Sequence, residues 1–411
     1  MQNQTHILYI SYDGMTDNLG QSQVLPYIEG LSKLGYVFTL ISCEKEEKYQ
    51  ANKEVIEAIC KRSNINWQPL KYTKKPPILS TIKDVLSIQK RAEELHRLHS
   101  FQIVHCRSYL SAIVGLKLKK KFGVKFLFDM RGFWADERVD GGQWNLKNPI
   151  YKIVYRYFKN KETQFLNAAD YVISLTQKAK DEIFSWKHIK NNPVPIEVIP
   201  CCTDMDFFNP IGVNQDDAKR IKTNLGIQET EFVLTYIGGA SLWYMIEEML
   251  DFFKILLQTK PNARFLYITG DNTDKLRALI LEKKIAPDKV IITSAKRLEV
   301  PLLLSLSDAT IFFIKPTYSK MSSSPTKQGE IMAMGIPVFC NSGVGDTDNI
   351  VKKYHSGIVI DTFQNEAYQN AINHFFNNNF APVVIRSGAN EYFSLINGVQ
   401  KFAAVYKKML N

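Results

Sequence analysis

The chain has 411 residues, 45% of them apolar, and a formal net charge of +11. That length exceeds one comfortable hydrophobic core and predicts two domains of about 200 residues each. No apolar run approaches the ~18 residues of a membrane span, no basic-then-apolar leader opens the sequence, and the cysteines at 43, 60, 106, 201, 202 and 340 form no Cys-x-x-Cys pair; these features argue against a transmembrane protein, a disulfide scaffold and a zinc ribbon, and predict a cytosolic chain with reduced thiols.

Apolar strands are predicted over 6–11, 36–42, 103–106, 125–128 and 171–175. Helices are predicted between them, among them 21–34, stopped by Gly35, a stretch from Tyr109 into Lys121, and an aromatic-rich helix over 151–165. The alternation breaks near 198–210 and then resumes. Strand 232–237, helix 244–258, strand 264–268, helix 274–284, strand 290–292 and strand 309–314 follow. A last helix over 391–410 has apolar residues three and four apart. Near-continuous apolar strands alternating with helices predict parallel sheets covered on both faces. The fold class is therefore α/β with two doubly wound domains, 1–205 and 206–388, and a terminal helix over 389–411.

The charge is uneven. Residues 1–205 hold 30 Lys+Arg against 21 Asp+Glu, giving +9, and residues 206–411 hold 22 against 20, giving +2. The excess sits at Lys71, Lys74 and Lys75 and in Lys117-Leu-Lys119-Lys120-Lys121. A helix that is apolar first and basic last suits an anionic membrane surface, or is a solvated end whose lysines complement the dipole. No nucleic-acid-binding motif accompanies the charge.

Chemistry concentrates at Ser322-Ser323-Ser324-Pro-Thr326-Lys327-Gln-Gly-Glu330. A polar loop leads there into a short helix, the Gly335 turn, a buried strand and Gly343-Val-Gly345. A carboxylate such as Glu330 can take both vicinal hydroxyls of a ribose. Hydroxyls of Ser322, Ser323, Ser324 and Thr326, loop amides and Lys327 can take phosphate. Gly238 and Gly239, followed by Ala240 and Ser241, end the strand over 232–237. They let a phosphate reach backbone amides, or form a plain turn. In the first half, Leu19-Gly20-Gln21-Ser22 opens a helix, either as a ligand-facing loop or as a capped start served by Ser22 or Asn18. Asp129-Met-Arg131-Gly-Phe-Trp-Ala-Asp136 follows a strand end and sets charges among aromatics. Arg131 cannot be a base at neutral pH; it could hold a phosphate or carboxylate, which leaves Asp129 and Asp136 as the acids. His105, also near a strand end, is as often structural as functional. Asp346-Thr-Asp348 and Asp204-Met-Asp206 could hold a divalent ion, but read as helix-start and linker residues, so no metal is expected.

The segment 322–346 resembles the nucleotide-sugar site of glycosyltransferase family 4, a family with the two-domain GT-B fold. The resemblance covers nearly the whole chain and is strongest over 232–360. It implies retaining transfer of a hexosyl group from a nucleotide diphosphate sugar to a glycan or lipid-linked acceptor, with no cofactor. The cellular role implied is capsule, exopolysaccharide or lipopolysaccharide assembly, in the cytoplasm or peripheral to the inner membrane face. The ribose would sit on Glu330, the base against backbone from Ser294 through Lys296 to Arg297, and the diphosphate on Gly238, Gly239, the serine loop and Lys327. The first domain would bind acceptor, with Gly20, Gln21 and Ser22 facing the cleft and the last helix crossing back onto that domain. Three departures stand out. The family's Arg and Lys after the glycines are Gly239 and Tyr244, its first glutamate is Ser322, and its usual histidine is Arg131. Lys327 is the expected substitute cation, with Lys315 and Lys320 further out. A branch of family 4 with Ser-Pro-Thr-Lys here and Trp-Tyr after the glycines is similar to this chain, which has Trp243-Tyr244. Two alternatives stay open: a nucleotide-sugar epimerase on the same fold, and a non-catalytic GT-B partner protein.

Overall fold

The computed structural model describes residues 4–190, 193–240 and 242–411; Ser241 of the glycine segment lies outside them. The chain divides into two compact units, one running to Pro200 and including Leu395–Asn411, the other Cys201–Ser394.

The first unit is built on a seven-stranded sheet. Its strands are β1 (His6–Ser11), β2 (Val37–Glu44), β3 (Asn66–Lys71), β4 (Ile103–Arg107), β5 (Lys125–Asp129), β6 (Tyr171–Ser174) and β7 (Ile196–Val198). Their order is β3-β2-β1-β4-β5-β6-β7, and every pairing is parallel. The central strands are apolar on both faces because helices cover both. Ile7, Leu8, Ile10, Leu40, Ile41, Val104, Phe126, Leu127 and Phe128 are all buried. β3 and β7 were not expected from the sequence. Both are sheet edges, where one side of the ladder is open and a strand needs less apolar character. β3 even carries Pro69, which an edge tolerates.

Two predicted helices break where local geometry forbids continuation. The one expected over 21–34 is a pair, Asn18–Gln23 and Leu25–Lys33. Val24 leaves helical geometry at φ −127° and ψ −64°, and Pro26 starts the second piece, where its missing N–H costs nothing. The tail expected over 391–410 is also two helices, Pro382–Phe393 in the second unit and Leu395–Leu410 in the first. The latter lies on Leu25–Lys33. Gly30 makes that contact possible, since a Cβ there would stand 2.6 Å from a Val399 methyl.

The second unit holds β8 (Val233–Ile237), β9 (Arg264–Ile268), β10 (Val290–Thr293), β11 (Ala309–Phe312), β12 (Val338–Asn341) and β13 (Gly357–Ile360). Their order is β10-β9-β8-β11-β12-β13, again all parallel. Strand order reverses between β1 and β4 in the first unit and between β8 and β11 in the second. In open parallel sheets ligands bind outside the carboxyl ends of the strands at such reversals. Those two places are where the candidate residues gather.

Candidate functional site: a caged lysine and a glutamate at the β8/β11 reversal

β8 ends at Ile237 and runs into Gly238, whose φ of +143° only glycine adopts without strain. The next turn is held by its neighbours. The Tyr236 hydroxyl donates to the Gly239 carbonyl at 2.7 Å, and Ala240 N–H donates to Asp271 Oδ2 at 2.7 Å. The chain then returns to pair with the end of β11. Lys315 N–H donates to the Trp243 carbonyl at 2.9 Å, and Met245 N–H to the Phe313 carbonyl at 3.0 Å. This short antiparallel bridge fixes Trp243 and Tyr244 beside the loop that follows β11. Asn341, at the end of β12, steadies that loop, accepting from Ile314 N–H at 2.8 Å and donating to the Ile314 carbonyl at 2.9 Å.

The loop is more ordered than its serines suggested. It forms a 3-10 turn, Tyr318–Ser322, followed by the helix Thr326–Ala333. The Ser322 hydroxyl donates to the Ser319 carbonyl at 2.6 Å, and the Ser324 hydroxyl accepts from Cys201 N–H at 3.2 Å. Ser323 closes the 3-10 turn, and Thr326 opens the helix after Pro325. The start of this helix carries the positive end of its dipole.

Two lysines from this segment meet the Trp-Tyr pair. Lys320, expected further out than Lys327, is buried, with its ammonium 3.7 Å from the centroid of the Trp243 ring. Lys327 is buried too. Its ammonium lies 3.6 Å from the Tyr244 centroid and 4.4 Å from that of Tyr236, and donates to the Tyr236 hydroxyl at 3.3 Å. Ring faces attract cations. Tyr244, standing where the resemblance calls for a lysine, thus holds a lysine supplied from elsewhere. A Cβ built on Gly238 would fall 2.5 Å from Lys327 Nζ, so the ammonium rests directly against the glycine turn. Burial pulls the Lys327 pKa from 10.5 down to about 7, partly countered by Glu330. The Lys315 side chain is exposed.

Glu330, one helical turn beyond Lys327, has a side chain 12% exposed. Burial raises its pKa against the pull of Arg297 and Lys327. Arg297 Nη1 donates to Glu330 Oε1 at 3.4 Å, and the guanidinium also lies 5.4 and 5.6 Å from the Phe207 and Phe208 centroids. The loop after β10, with Ser294 and Lys296 exposed, is thereby tied to the glutamate. Arg297 and Tyr236 were missed as site residues. Their signal was position alone, since Arg297 ends the segment assigned to the base and Tyr236 precedes the glycines by two.

In the first unit the β1/β4 reversal holds a buried charge cluster. Asp129, at the end of β5, lies 3.8 Å from Arg131 Nη1, 3.9 Å from Arg107 Nη1 and 3.6 Å from His105 Nε2. Arg107 Nε donates to Asp13 at 3.4 Å. Arg131 and Gly132 have φ of +57° and +127°, a turn that non-glycine residues rarely accept and that clusters at functional sites. Burial alone would raise the Asp129 pKa, but Arg131, His105 and Arg107 outweigh it and hold it down. Asp129 is accordingly a poor proton acceptor and a good anchor for two guanidinium groups. His105 reads as a core residue. Its Nδ1 meets the Tyr406 hydroxyl at 2.7 Å, and burial lowers its pKa. Arg107, the last residue of β4, was overlooked.

The structure does not bring Asp136 into this cluster. Its carboxylate accepts from the Tyr155 hydroxyl at 2.8 Å and Lys159 at 2.9 Å, which ties it to the helix Pro149–Ala168. Gly20, Gln21 and Ser22 lie within the helix Asn18–Gln23. A Cβ on Gly20 would fall 2.3 Å from the Gly14 carbonyl, so this glycine serves close packing. Gln21 Nε2 donates to the Thr16 carbonyl at 3.2 Å, and the Ser22 hydroxyl to that of Asn18 at 2.8 Å, so Ser22 does not cap the helix start. The loop before this helix hangs on Glu44, which accepts from Met15 N–H at 2.8 Å and Thr16 N–H at 3.1 Å. Asp346 precedes the helix Thr347–Lys353 and accepts from the Tyr392 hydroxyl at 2.9 Å.

Two Rossmann-like units with these strand orders define the GT-B fold. Residues 21–207 match Glycosyltransferase Family 4, and residues 217–391 match Glycosyl transferases group 1; with one match in each half, the chain belongs to the GT-B glycosyltransferases. A D-inositol 3-phosphate glycosyltransferase of Segniliparus rotundus is 21% identical over 279 residues, covering 67% of this chain and 58% of that protein. The chain thus matches less than two thirds of that relative's length. Among solved structures, a glycosyltransferase of Rickettsia africae ESF-5 superposes with a TM-score of 0.75 at 16% identity, over 100% of this chain and 99% of that one. Anabaena Alr3699/HepE, solved with UDP and glucose, gives 0.68 at 13% identity over 98% and 99%.

Proposed function

We propose that the second unit binds a nucleoside diphosphate sugar and that the protein transfers its hexosyl group, with retained configuration, to a glycan or lipid-linked acceptor held by the first unit. The observation that carries the reading is the buried Lys327 ammonium against Gly238, one helical turn from Glu330. A diphosphate laid on the glycine turn meets that cation and the helix start, while Glu330 takes the ribose hydroxyls once Arg297 swings away. An arriving diphosphate favours the charged form of Lys327, so binding near pH 8 takes up a proton. The relative solved with UDP and glucose is consistent with this class of donor.

In the reaction the bond from the anomeric carbon to the diphosphate oxygen breaks and a bond to an acceptor hydroxyl oxygen forms. The acceptor proton passes to the departing phosphate. Lys327, the glycine turn and the helix start stabilise the charge that develops on the leaving group. Asp129 positions Arg107 and Arg131. We assign the protein to surface-polysaccharide or lipopolysaccharide assembly on the cytoplasmic side, working without a metal ion. Proton and phosphorus NMR of the protein with UDP-glucose, UDP-galactose and GDP-mannose, with and without an envelope glycolipid extract, tests this. Diphosphate release that depends on the extract, with an anomer of unchanged configuration in the product, is expected. Isomerised donor without extract would overturn transfer in favour of epimerisation.

A further inference from the structure

The helix Leu79–His99 buries Val85, Ile88, Ala92 and Leu95 against the first unit. Its outer face is not simply polar. Leu79, Ile82 and Leu86 are 65%, 51% and 54% exposed, and Lys83 and Lys90 are exposed as well. At about 100° per residue these five positions fall within roughly 100° of arc, one stripe along the helix. Ile78, also exposed, extends it at the start.

Both lysine runs of the sequence end beside this helix. Lys74 and Lys75 are exposed just before its first turn. From the helix Ser108–Phe122, Lys117 donates to Gln89 and Lys121 to Glu93, each at 2.6 Å. The acids nearby are occupied. Asp84 points inward and accepts from the Tyr12 hydroxyl and Thr73 N–H, each at 3.0 Å, Glu93 pairs with Lys121, and Glu94 pairs with Arg91.

We propose that this face docks the protein onto an anionic phospholipid bilayer, with Leu79, Ile82 and Leu86 entering the interface and the lysines meeting lipid phosphates. The chemistry favours lipid over a protein partner. The stripe is a convex ridge of aliphatic side chains, not a groove. Protein interfaces are depleted in lysine and enriched in aromatics, whereas lysine stems lie along apolar surface and keep their charge at the headgroups. Each lysine near such a surface strengthens binding several-fold, and salt weakens it.

The test is sedimentation of the full-length protein with phosphatidylcholine vesicles, with and without about 30% phosphatidylglycerol. The protein should pellet with the anionic vesicles and stay in solution with the neutral ones. Leu79→Ser/Ile82→Ser/Leu86→Ser, and separately Lys74→Glu/Lys75→Glu/Lys83→Glu, should each lower partitioning by about tenfold or more. All six side chains are exposed, so both variants should fold. In a second measurement, Ile82→Cys carrying an environment-sensitive dye should shift to the blue on anionic vesicles only. Failure to pellet, equal pelleting of the apolar variant, or an unshifted dye overturns the proposal. Binding is read without donor, so a failure here leaves the nucleotide-sugar reading untouched.

Discussion

Lys327→Met removes the ammonium and keeps most of the side-chain volume. The structure sets the scale of the effect. The Lys327 ammonium is buried, backed by two rings at 3.6 and 4.4 Å, and set against Gly238. A charge about 4 Å from a phosphate oxygen interacts by about 4 kcal/mol at an effective dielectric of 20. That is close to the cost of removing one preorganised stabiliser of developing charge, a factor of about 10²–10³ in kcat. The assay is single-turnover transfer with a fixed donor and acceptor, alongside circular dichroism to show the variant is folded. Lys327→Ala should behave likewise. Lys320 was placed further out by the sequence, which would make Lys320→Ala a mild change. Its burial on Trp243 raises that expectation to an intermediate loss, short of that for Lys327. A folded Lys327→Met with kcat within about threefold of wild type would refute the assignment of the leaving-group charge to this lysine.

Lys327 also makes stability depend on pH. Its pKa is about 7 folded and 10.5 unfolded. Below pH 7 both states carry the proton and the burial penalty is complete. Between 7 and 10.5 the unfolded state alone keeps it, so stability rises with pH across that window. Thermal unfolding should therefore show Lys327→Met more stable than wild type at pH 6, with the gap closing toward pH 10; a gap that ignores pH would contradict the burial cost. Transfer should survive EDTA, since Asp346 precedes a helix and is bonded to Tyr392. Loss of turnover on chelation, restored by manganese, would give the Asp-x-Asp pair a different role.

The architecture was largely legible because the inner strands of both sheets are buried on two faces and so read as unbroken apolar runs. The three strands overlooked, Asn66–Lys71, Ile196–Val198 and Gly357–Ile360, are edges and lack that signature. Residues with a motif behind them, Lys327, Glu330 and the glycines, were singled out from the sequence. Residues whose part comes from folding alone were not. Arg107 meets Asp129 only because β4 and β5 pair in register, Arg107 opposite Asp129. Lys320 and Trp243 are 77 positions apart in the sequence and meet through the bridge between Tyr244 and Ile314. Asp136 stands apart from the Asp129 cluster for the converse reason. A charged residue near a strand end looks available until the helix two elements later supplies Tyr155 and Lys159.

The central claim is that the Gly238–Lys327–Glu330 site takes a nucleoside diphosphate sugar. A thermal-shift panel of UDP-glucose, UDP-galactose, UDP-N-acetylglucosamine, GDP-mannose and ADP-glucose, run on wild type and on Glu330→Gln, tests it most directly. One donor at about 100 times its dissociation constant should stabilise wild type by about 2.7 kcal/mol. Glu330→Gln should weaken that donor by about 1.5–3 kcal/mol, the worth of a charge-assisted contact to the ribose, while its unliganded melting stays cooperative. A panel that moves neither protein, or moves both equally, would contradict the account.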